Sequence, residues 1–347
     1  MGREREPRRS SWRPGRCLAL ALVMLALATA APAAGAAAPA AAWTSRWWQV
    51  AAAPSARFEA AAVTVGGRIY VFGGFKADYR VDRTYASYDP AGQRWRALGT
   101  LPVGMAETHL GIATDGQHVY VAGGFGGDLQ RDREPGQWIS DAVWRYTPGT
   151  NRWQRIATLP RPRGAGSLDV VGRELHYLSG NPADRVTNVG DHFVFHLDGR
   201  TWRTAAPLPN PKDHFSTVVH QGRIYVLGGE KGHDELHRQQ RDAHVYTPAT
   251  NTWRRLADLP VAKSHLEAAT FVSDGRFVMA GGQRDNFAAT ANVIAYDPST
   301  NRWSTLASLP AARQGAVVQR VGTRLVVSMG AVRPAAPQRT TWHGSAG

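Results

Sequence analysis

The sequence predicts an all-β fold in which six similar sheets form a closed ring, and three observations support this prediction. A glycine motif follows a β-branched or aromatic run six times along the chain. The motifs recur at a period of about 50 residues. A turn rich in Asp, Pro, Gly and Asn, followed by tryptophan, recurs between them. One such sheet cannot bury both of its faces, whereas six sheets packed around an axis can.

The glycine motifs set the period. They are IYVFGG, VYVAGG, HYLSG, IYVLGG, FVMAGG and VVSMG. Their first motif positions are residues 73, 123, 179, 228, 281 and 329, so the intervals are 50, 56, 49, 53 and 48 residues. The turns between them are YDPAGQRW, YTPGTNRW, HLDGRTW, YTPATNTW and YDPSTNRW. Each turn motif predicts a strand, a tight turn and a tryptophan that opens the next strand.

In these glycine, tyrosine and tryptophan positions, residues 45–342 resemble the kelch-repeat family. The resemblance implies one four-stranded blade per repeat, and therefore a six-bladed kelch-type β-propeller. The glycines would allow close approach of the backbone, and each tryptophan would fill the space between adjacent blades.

The sixth repeat lacks an outer strand. After Gly330 the chain has room for a third strand, but it has no further turn-plus-tryptophan motif. Residues 47–54 have the same phase as residues 95–102, which form the outer strand of the first repeat. We therefore predict that the ring is closed by an N-terminal strand in blade six.

Residues 1–42 are predicted to be a signal peptide with an Ala/Pro-rich cleavage region, and residues 43–347 a single six-bladed propeller. Six arginines precede an apolar run at residues 17–28, which is too short to cross a bilayer comfortably. We expect a periplasmic or secreted protein with no stable membrane insertion, with Sec export favoured over the twin-arginine route. Cleavage would remove Cys17, the only cysteine, and with it any possibility of a disulfide.

The charge favours acidic partners. The chain has a net charge of +14, and loss of residues 1–42 removes six basic and two acidic residues, which leaves +10. An anionic glycan, an acidic sugar or a protein ligand fits this charge, and nucleic acid is not expected. The sequence has no GxSxG, HExxH, P-loop or dinucleotide fingerprint, so hydrolase, metalloprotease and nucleotide chemistry lack support.

Two tiers of candidate site residues follow from the repeat. Fourteen residues before each glycine motif, or sixteen in blade five, stand Glu59, His109, Ala165, His214, His265 and Gly315. Two residues earlier stand Arg57, Glu107, Arg163, Lys212, Lys263 and Arg313. We place both tiers near the mouth of the central channel, on the face with long, unequal, polar loops. All of these residues except Ala165 and Gly315 are predicted to bind the ligand.

The three histidines and Glu59 leave three interpretations open. They suit a divalent metal ion, they could form the channel wall, or they could orient an acidic ligand held by the arginines. We expect no metal and no other cofactor, because inner strands diverge around a channel and these side chains could point between blades. His192, and the pair His233 and Asp234, are further candidates from the loops.

The resemblance implies three kinds of activity. We favour a non-catalytic binding and interaction module. The alternative is a sugar-active enzyme similar to the sialic acid mutarotases (N-acetylneuraminate epimerases), for which Glu59, Glu107 and His109 with Arg57 would supply acid–base groups and a carboxylate anchor. Copper radical chemistry of the galactose oxidase kind needs a cysteine, which the mature chain would lack.

Overall fold

The computed structural model describes residues 43, 46–127 and 138–345. Within these ranges the chain forms six four-stranded antiparallel sheets, three two-stranded ribbons and no α-helix. The six-bladed all-β architecture predicted from the repeat is confirmed. The predicted signal peptide, residues 1–42, and part of the long blade-two loop, residues 128–137, lie outside the described residues. None of the helices in the described part is long and apolar enough to span a membrane.

Each blade contains four strands in meander order, from the axis outward. The strands of blades one to three are Ala61–Val65, Arg68–Phe72, Thr84–Asp89 and Arg94–Thr100; Gly111–Thr114, Val119–Ala122, Ala142–Thr147 and Arg152–Thr158; and Ser167–Val171, Glu174–Leu178, His192–His196 and Thr201–Thr204. The strands of blades four to six are Ser216–His220, Arg223–Leu227, Ala243–Thr247 and Thr252–Arg255; Thr270–Ser273, Arg276–Ala280, Val293–Asp297 and Arg302–Leu306; and Gln314–Val321, Arg324–Ala331, Thr341–Ser345 and Trp47–Val50.

Short elements decorate the loops. The ribbons pair Phe125–Gly126 with Trp138–Ile139, Glu230–Lys231 with Arg238–Gln239, and Gln283–Arg284 with Ala288–Ala289. Single 3₁₀ turns cover Ala77–Tyr79, Pro248–Thr250, Glu267–Ala269 and Asp285–Phe287. All three ribbons, and two of these four turns, lie in the loops between the second and third strands of a blade.

The N-terminal strand closes the ring, as predicted. Trp47 pairs with Gly344 in blade six in the same way that Trp95 pairs with Tyr88 in blade one. The nearby Ala53 is buried in the core shared by blades one and six. Blade six is therefore assembled from both ends of the described chain.

The glycine motifs join neighbouring blades. At each of the six junctions, the N–H of the last motif glycine donates to a backbone carbonyl of the next blade, from Gly74 to Glu107 (2.8 Å) round to Gly330 and Arg57 (2.9 Å). Gly73 has a φ of +60°, and a Cβ there would lie 1.9 Å from the Glu107 carbonyl oxygen. Only glycine fits this position without moving the next blade, which confirms the close approach predicted for the motif.

Tryptophan and tyrosine side chains fill the outer seams between blades, as the repeat predicts. The Trp253 indole N–H donates to the Ala206 carbonyl of the preceding blade at 2.8 Å, and Trp303 donates to Ala257 at 2.9 Å. The Trp303 ring packs 5.0 Å from that of Tyr296, whose hydroxyl donates to the turn residue Asn301. The seams at Trp253 and Trp303 are therefore closed by aromatic packing together with satisfied polar groups.

Candidate functional site

The six ring positions, Glu59 and its equivalents in the other blades, surround the axis with one unusual backbone conformation. All six have positive φ, between 46° at His214 and 57° at His265. At five of the six junctions in the described chain, the ring residue's N–H donates to the ring carbonyl of the preceding blade, as from His265 to His214 at 3.3 Å. The backbone is fixed by these bonds, so the side chain at each ring position is free to differ from blade to blade.

The polar ring side chains converge at the channel mouth. Glu59 bridges two of them, because its carboxylate lies 3.6 Å from Nε2 of His109 and 3.5 Å from Nε2 of His265. The His214 and His265 rings stack 3.9 Å apart. The structure therefore removes the geometric objection to a shared site, since these side chains point at one another rather than into separate blade seams.

The loop histidine His233 belongs to the same cluster. Its Nε2 lies 3.1 Å from Nε2 of His109, and its ring is stacked 4.9 Å from that of His214. Asp234 holds the other ring nitrogen at 2.6 Å and also pairs with Arg185 at 2.6 Å. A loop of blade three and a loop of blade four are thus drawn over the axis to complete the site.

Glu230, Glu267 and Arg185 were not among the residues predicted from the sequence. Glu230 directly follows the blade-four glycine pair and lies 3.8 Å from His265, while Glu267 lies 2.8 Å from Nδ1 of His214. Both carboxyl groups could have been predicted from the sequence, because Glu230 follows a glycine motif and Glu267 stands two residues after the ring residue His265. Arg185 occupies an unphased loop, and nothing in the repeat points to it.

Burial sets the protonation of the cluster. It raises the pKa of Glu59 to about 8, with further repulsion from Glu267 and Glu230. It lowers the pKa of both His214 and His265 to about 3, and it holds the pKa of His109 well below its usual value. At neutral pH the site therefore contains neutral imidazoles beside a protonated carboxyl group, an arrangement able to accept and donate protons.

The basic tier does not join this cluster, because its side chains are held inside their own blades. Arg57 is buried, donates to Thr84 and lies 3.3 Å from Asp82. The same clamp, from the inner segment to a residue just before the third strand, recurs with side-chain contacts from Arg163 to Asp191, Lys212 to Asp242, Lys263 to Asn292 and Arg313 to Thr340. Their ligand-binding role stays a prediction, and the structure gives these cations partners within the blade.

Glu107 takes the place of the cation in blade two. Its carboxylate lies 2.6 Å from Arg83 of blade one and accepts the Gly127 N–H at 3.2 Å. It therefore links two blades rather than facing the histidines. His192 is also remote from the mouth: it contacts His176 at 2.9 Å and packs on Tyr246 between blades three and four.

Two cavities lie along the channel. One of about 40 Å³ is enclosed by the ring residues, including Glu59, His109, His214 and His265. A larger one of about 310 Å³ lies among the inner strands and is lined by Asp169, Thr217 and Gln319, among others. Burial raises the pKa of Asp169 to about 7. The ring cavity has room for a water molecule or an ion, whereas pockets for sugars and drug-sized ligands measure about 300 Å³ or more.

The chain belongs to the kelch-repeat family. The family profile described as the KLHDC2/KLHL20/DRC7 kelch-repeats domain matches residues 40–208 and 187–330. These two matches cover most of the propeller.

Several curated relatives are similar to this chain at low identity. A kelch repeat-containing protein of Arabidopsis thaliana, At3g27220, is 25% identical over 72% of this chain and 61% of its own length. The kelch-like protein terF of Aspergillus terreus is 27% identical over 69% of this chain and 52% of its own length. N-acetylneuraminate epimerase 1 of Escherichia coli is 22% identical over 72% of this chain and 79% of its own length. This chain thus spans roughly half to three fifths of the first two relatives.

Proposed function

We propose that this kelch propeller is an exported binding module that takes an acidic protein or glycan on the face carrying the histidine cluster. The main support is the distribution of exposed apolar side chains. Five of the seven large hydrophobic residues exposed in the described chain lie in loops of this face: Val103, Trp138, Leu236, Phe287 and Val332. Such a rim suits a macromolecular surface better than a small molecule.

Charge on the same loops supports an acidic partner. Exposed arginines flank the apolar side chains at Arg80, Arg83, Arg161, Arg238, Arg241, Arg284, Arg333 and Arg339. Arginine and aromatic residues are the types that contribute most to binding at protein interfaces. The opposite face has only tight turns, such as Gly66 and Gly67, so it offers little variable surface.

A binding panel tests this proposal. The purified propeller would be titrated with an acidic peptide library, a sulfated polysaccharide and free N-acetylneuraminate, at low and high salt. We expect binding to one macromolecular class, weakened by salt and at least tenfold by Leu236→Ser or Phe287→Ala. Val272→Ser, an exposed apolar residue of an inner strand, is the matched control and should change nothing. Binding that ignores the loop variants would contradict the proposed face.

The second candidate function is mutarotation of a sugar acid. It is favoured by the protonated Glu59 beside the neutral His109 and His265, and by the similarity to N-acetylneuraminate epimerase 1. Against it, the ring cavity is small, and the larger cavity is lined by the carboxyl groups of Asp169 and Glu267, with no basic side chain among its described lining residues. A sugar carboxylate would find no anchor there. NMR measurement of anomer exchange in N-acetylneuraminate, for the wild type and Glu59→Gln, tests this alternative.

The proposed compartment rests on the arginine-rich, apolar and Ala/Pro-rich order of residues 1–42. We propose removal of this segment during export to the periplasm or medium. Intact-mass measurement of the exported protein should place its N-terminus between Ala31 and Trp43. Retention of Cys17 would contradict the proposal.

A further inference from the structure

The imidazole nitrogens of three histidines in the cluster have an arrangement that packing alone does not explain. His109 Nδ1 lies 2.8 Å from the Thr108 hydroxyl, which itself donates to the Phe125 carbonyl. When the hydroxyl gives its single proton to the Phe125 carbonyl, it accepts from Nδ1–H of His109. In that tautomer, Nε2 of His109 has a bare lone pair directed into the cluster.

His233 is fixed in the same way. Its Nδ1 lies 2.6 Å from the Asp234 carboxylate, which accepts the Nδ1 proton. With both rings in these tautomers, the Nε2 atoms of His109 and His233 face each other at 3.1 Å as two lone pairs. Two facing lone pairs repel unless a cation lies between or beside them.

His214 supplies a third such nitrogen. Its Nδ1 contacts Glu267 at 2.8 Å, while its Nε2 is buried and has no hydrogen-bond partner among the described residues. Buried polar atoms are nearly always satisfied, so an unpartnered buried nitrogen calls for an explanation. The ligand atoms of His109, His214 and His233 all lie within 4.8 Å of one another.

We propose that His109, His214 and His233 bind a divalent transition-metal ion at the channel mouth, with the Glu59 carboxylate as a fourth ligand. Glu59 lies 3.6 Å from Nε2 of His109. Three imidazoles and a carboxylate form a ligand set that suits zinc and its neighbours rather than magnesium or calcium.

The dimensions agree with this assignment. A tetrahedral zinc ion with ligands at about 2.0–2.1 Å separates its ligand atoms by roughly 3.3 Å. The distance between Nε2 of His109 and Nε2 of His233, 3.1 Å, is already close to that value. The remaining ligand atoms, which lie within 4.8 Å of one another, would have to approach the ion by rotation of the side chains. Three of the four proposed ligands, Glu59, His109 and His214, also line the ring cavity of about 40 Å³, which has room for a coordinated water.

The surroundings match a metal site in two further respects. Each imidazole has its Nδ1 against a hydroxyl or carboxylate, which is the outer-shell arrangement that orients metal-binding histidines. Two further carboxyl groups also lie beside the imidazoles, Glu267 at 2.8 Å from His214 and Glu230 at 3.8 Å from His265.

The experiment is a titration of the chelator-treated protein with Zn²⁺ by calorimetry and with Co²⁺ by visible absorption. We expect one ion per chain and the intense d–d bands of a four- or five-coordinate cobalt site. His109→Gln and His233→Gln should each lower Zn²⁺ affinity by about a hundredfold or more, and Asp234→Asn by about 10- to 100-fold. His118→Gln, at a turn of blade two on the opposite face, should bind as the wild type does.

Three outcomes would overturn the proposal: no stoichiometric uptake, uptake that survives both His109→Gln and His233→Gln, or loss of affinity in His265→Gln with none in His233→Gln. Because His109 sits in the ring, His109→Gln could fail to fold. His233 lies in a loop outside the blades, so melting of its metal-free variant should match the metal-free wild type and keep the test decisive.

Discussion

Two positions only two residues apart in each repeat have opposite roles. At the clamp position, Arg57 and its equivalents, a cationic side chain pairs with a partner in its own blade. Five of the six repeats have a cation at this position. The ring position contributes its backbone to the junctions between blades, and its side chain varies among Glu, His, Ala and Gly. The comparison teaches that the candidate site of this propeller lies where the fold constrains the backbone but allows the side chain to vary.

Breaking a clamp should have the largest effect on stability. Asp242→Ala leaves the buried Lys212 ammonium without the carboxylate that lies 2.6 Å away. Removing one partner of a buried ion pair costs about 3–5 kcal/mol of the free energy of unfolding. Denaturant titration measures the loss, and Lys212→Met combined with Asp242→Ala should recover most of it. A loss below about 1 kcal/mol would show that the clamps are dispensable.

The buried neutral histidines at the ring positions should make the free energy of unfolding fall at acidic pH. The pKa of His265 is about 3 in the folded protein and near 6.5 when unfolded, so the unfolded chain binds the extra proton between these values. Stability contributed by the neutral ring is therefore present above pH 6.5 and is lost as pH falls toward 3. Relative to pH 7, the wild type should lose roughly 3 kcal/mol more than His265→Gln by pH 4.

Glu59 opposes this trend over part of the range. Its pKa is about 8 in the folded state, so the folded protein holds a proton that the unfolded chain releases above about pH 4.5. Its contribution rises as pH falls from 8 to 4.5. Thermal melts of the wild type, His265→Gln and Glu59→Gln from pH 4 to 8 separate the two. Identical pH profiles for all three would contradict a buried titrating ring.

The blade-five clamp offers a smaller and more selective test. Lys263 contacts Asn292 where Lys212 has Asp242, and burial lowers the pKa of Lys263 to about 7. The unfolded lysine binds its proton near pH 10.5, so wild-type stability should rise between pH 7 and 10.5. Asn292→Asp should flatten that rise and stabilise the protein at pH 7 by about 1.5–3 kcal/mol. Urea unfolding at pH 7 and 10 tests both statements; a destabilised variant would show that the site cannot take a carboxylate.

The smallest effect concerns the ring backbone. Gly315→Ala would place a Cβ 2.6 Å from the Glu59 amide nitrogen at a φ of +54°, whereas Gly322→Ala, at +59°, meets no atom within 4 Å. Both variants are destabilised by about 1 kcal/mol of backbone strain, and only Gly315→Ala adds a steric clash. We expect Gly315→Ala to melt at the lower temperature. Equal melting temperatures would mean that the backbone at Glu59 can shift to accommodate the added Cβ at little cost in stability.

The sequence was sufficient to find the ring but not to find the whole site. Counting back from the glycine motifs locates Glu59, His109, His214 and His265, because the inner strands keep a strict phase. His233 could be named only as a loop candidate and Arg185 not at all, because their loops have no phase and their approach to the axis depends on tertiary packing.

The repeat also could not predict the direction in which the clamp side chains point. The repeat predicts that Arg57 and Glu59 both lie near the mouth of the channel, because they stand two residues apart at the start of the same blade. In the structure, Glu59 has a positive φ and its side chain lies in the cluster, whereas the guanidinium of Arg57 contacts Thr84 and Asp82 of its own blade. The repeat predicts which residues are equivalent, but the partners available within the blade determine where the side chains point.

The closure of blade six by the N-terminal strand also determines how the propeller can be attached to anything else. Trp47 lies opposite Gly344, and Gly344 lies opposite Leu325, beside the tight turn farthest from the ring. The N-terminal strand therefore begins beside the end of the last strand, on the face of the propeller opposite the histidine cluster. A fusion partner or surface tether joined at either end would hold the propeller with its loops outward, and joining the two ends by a short linker would permit circular permutation with new termini in any of the exposed loops.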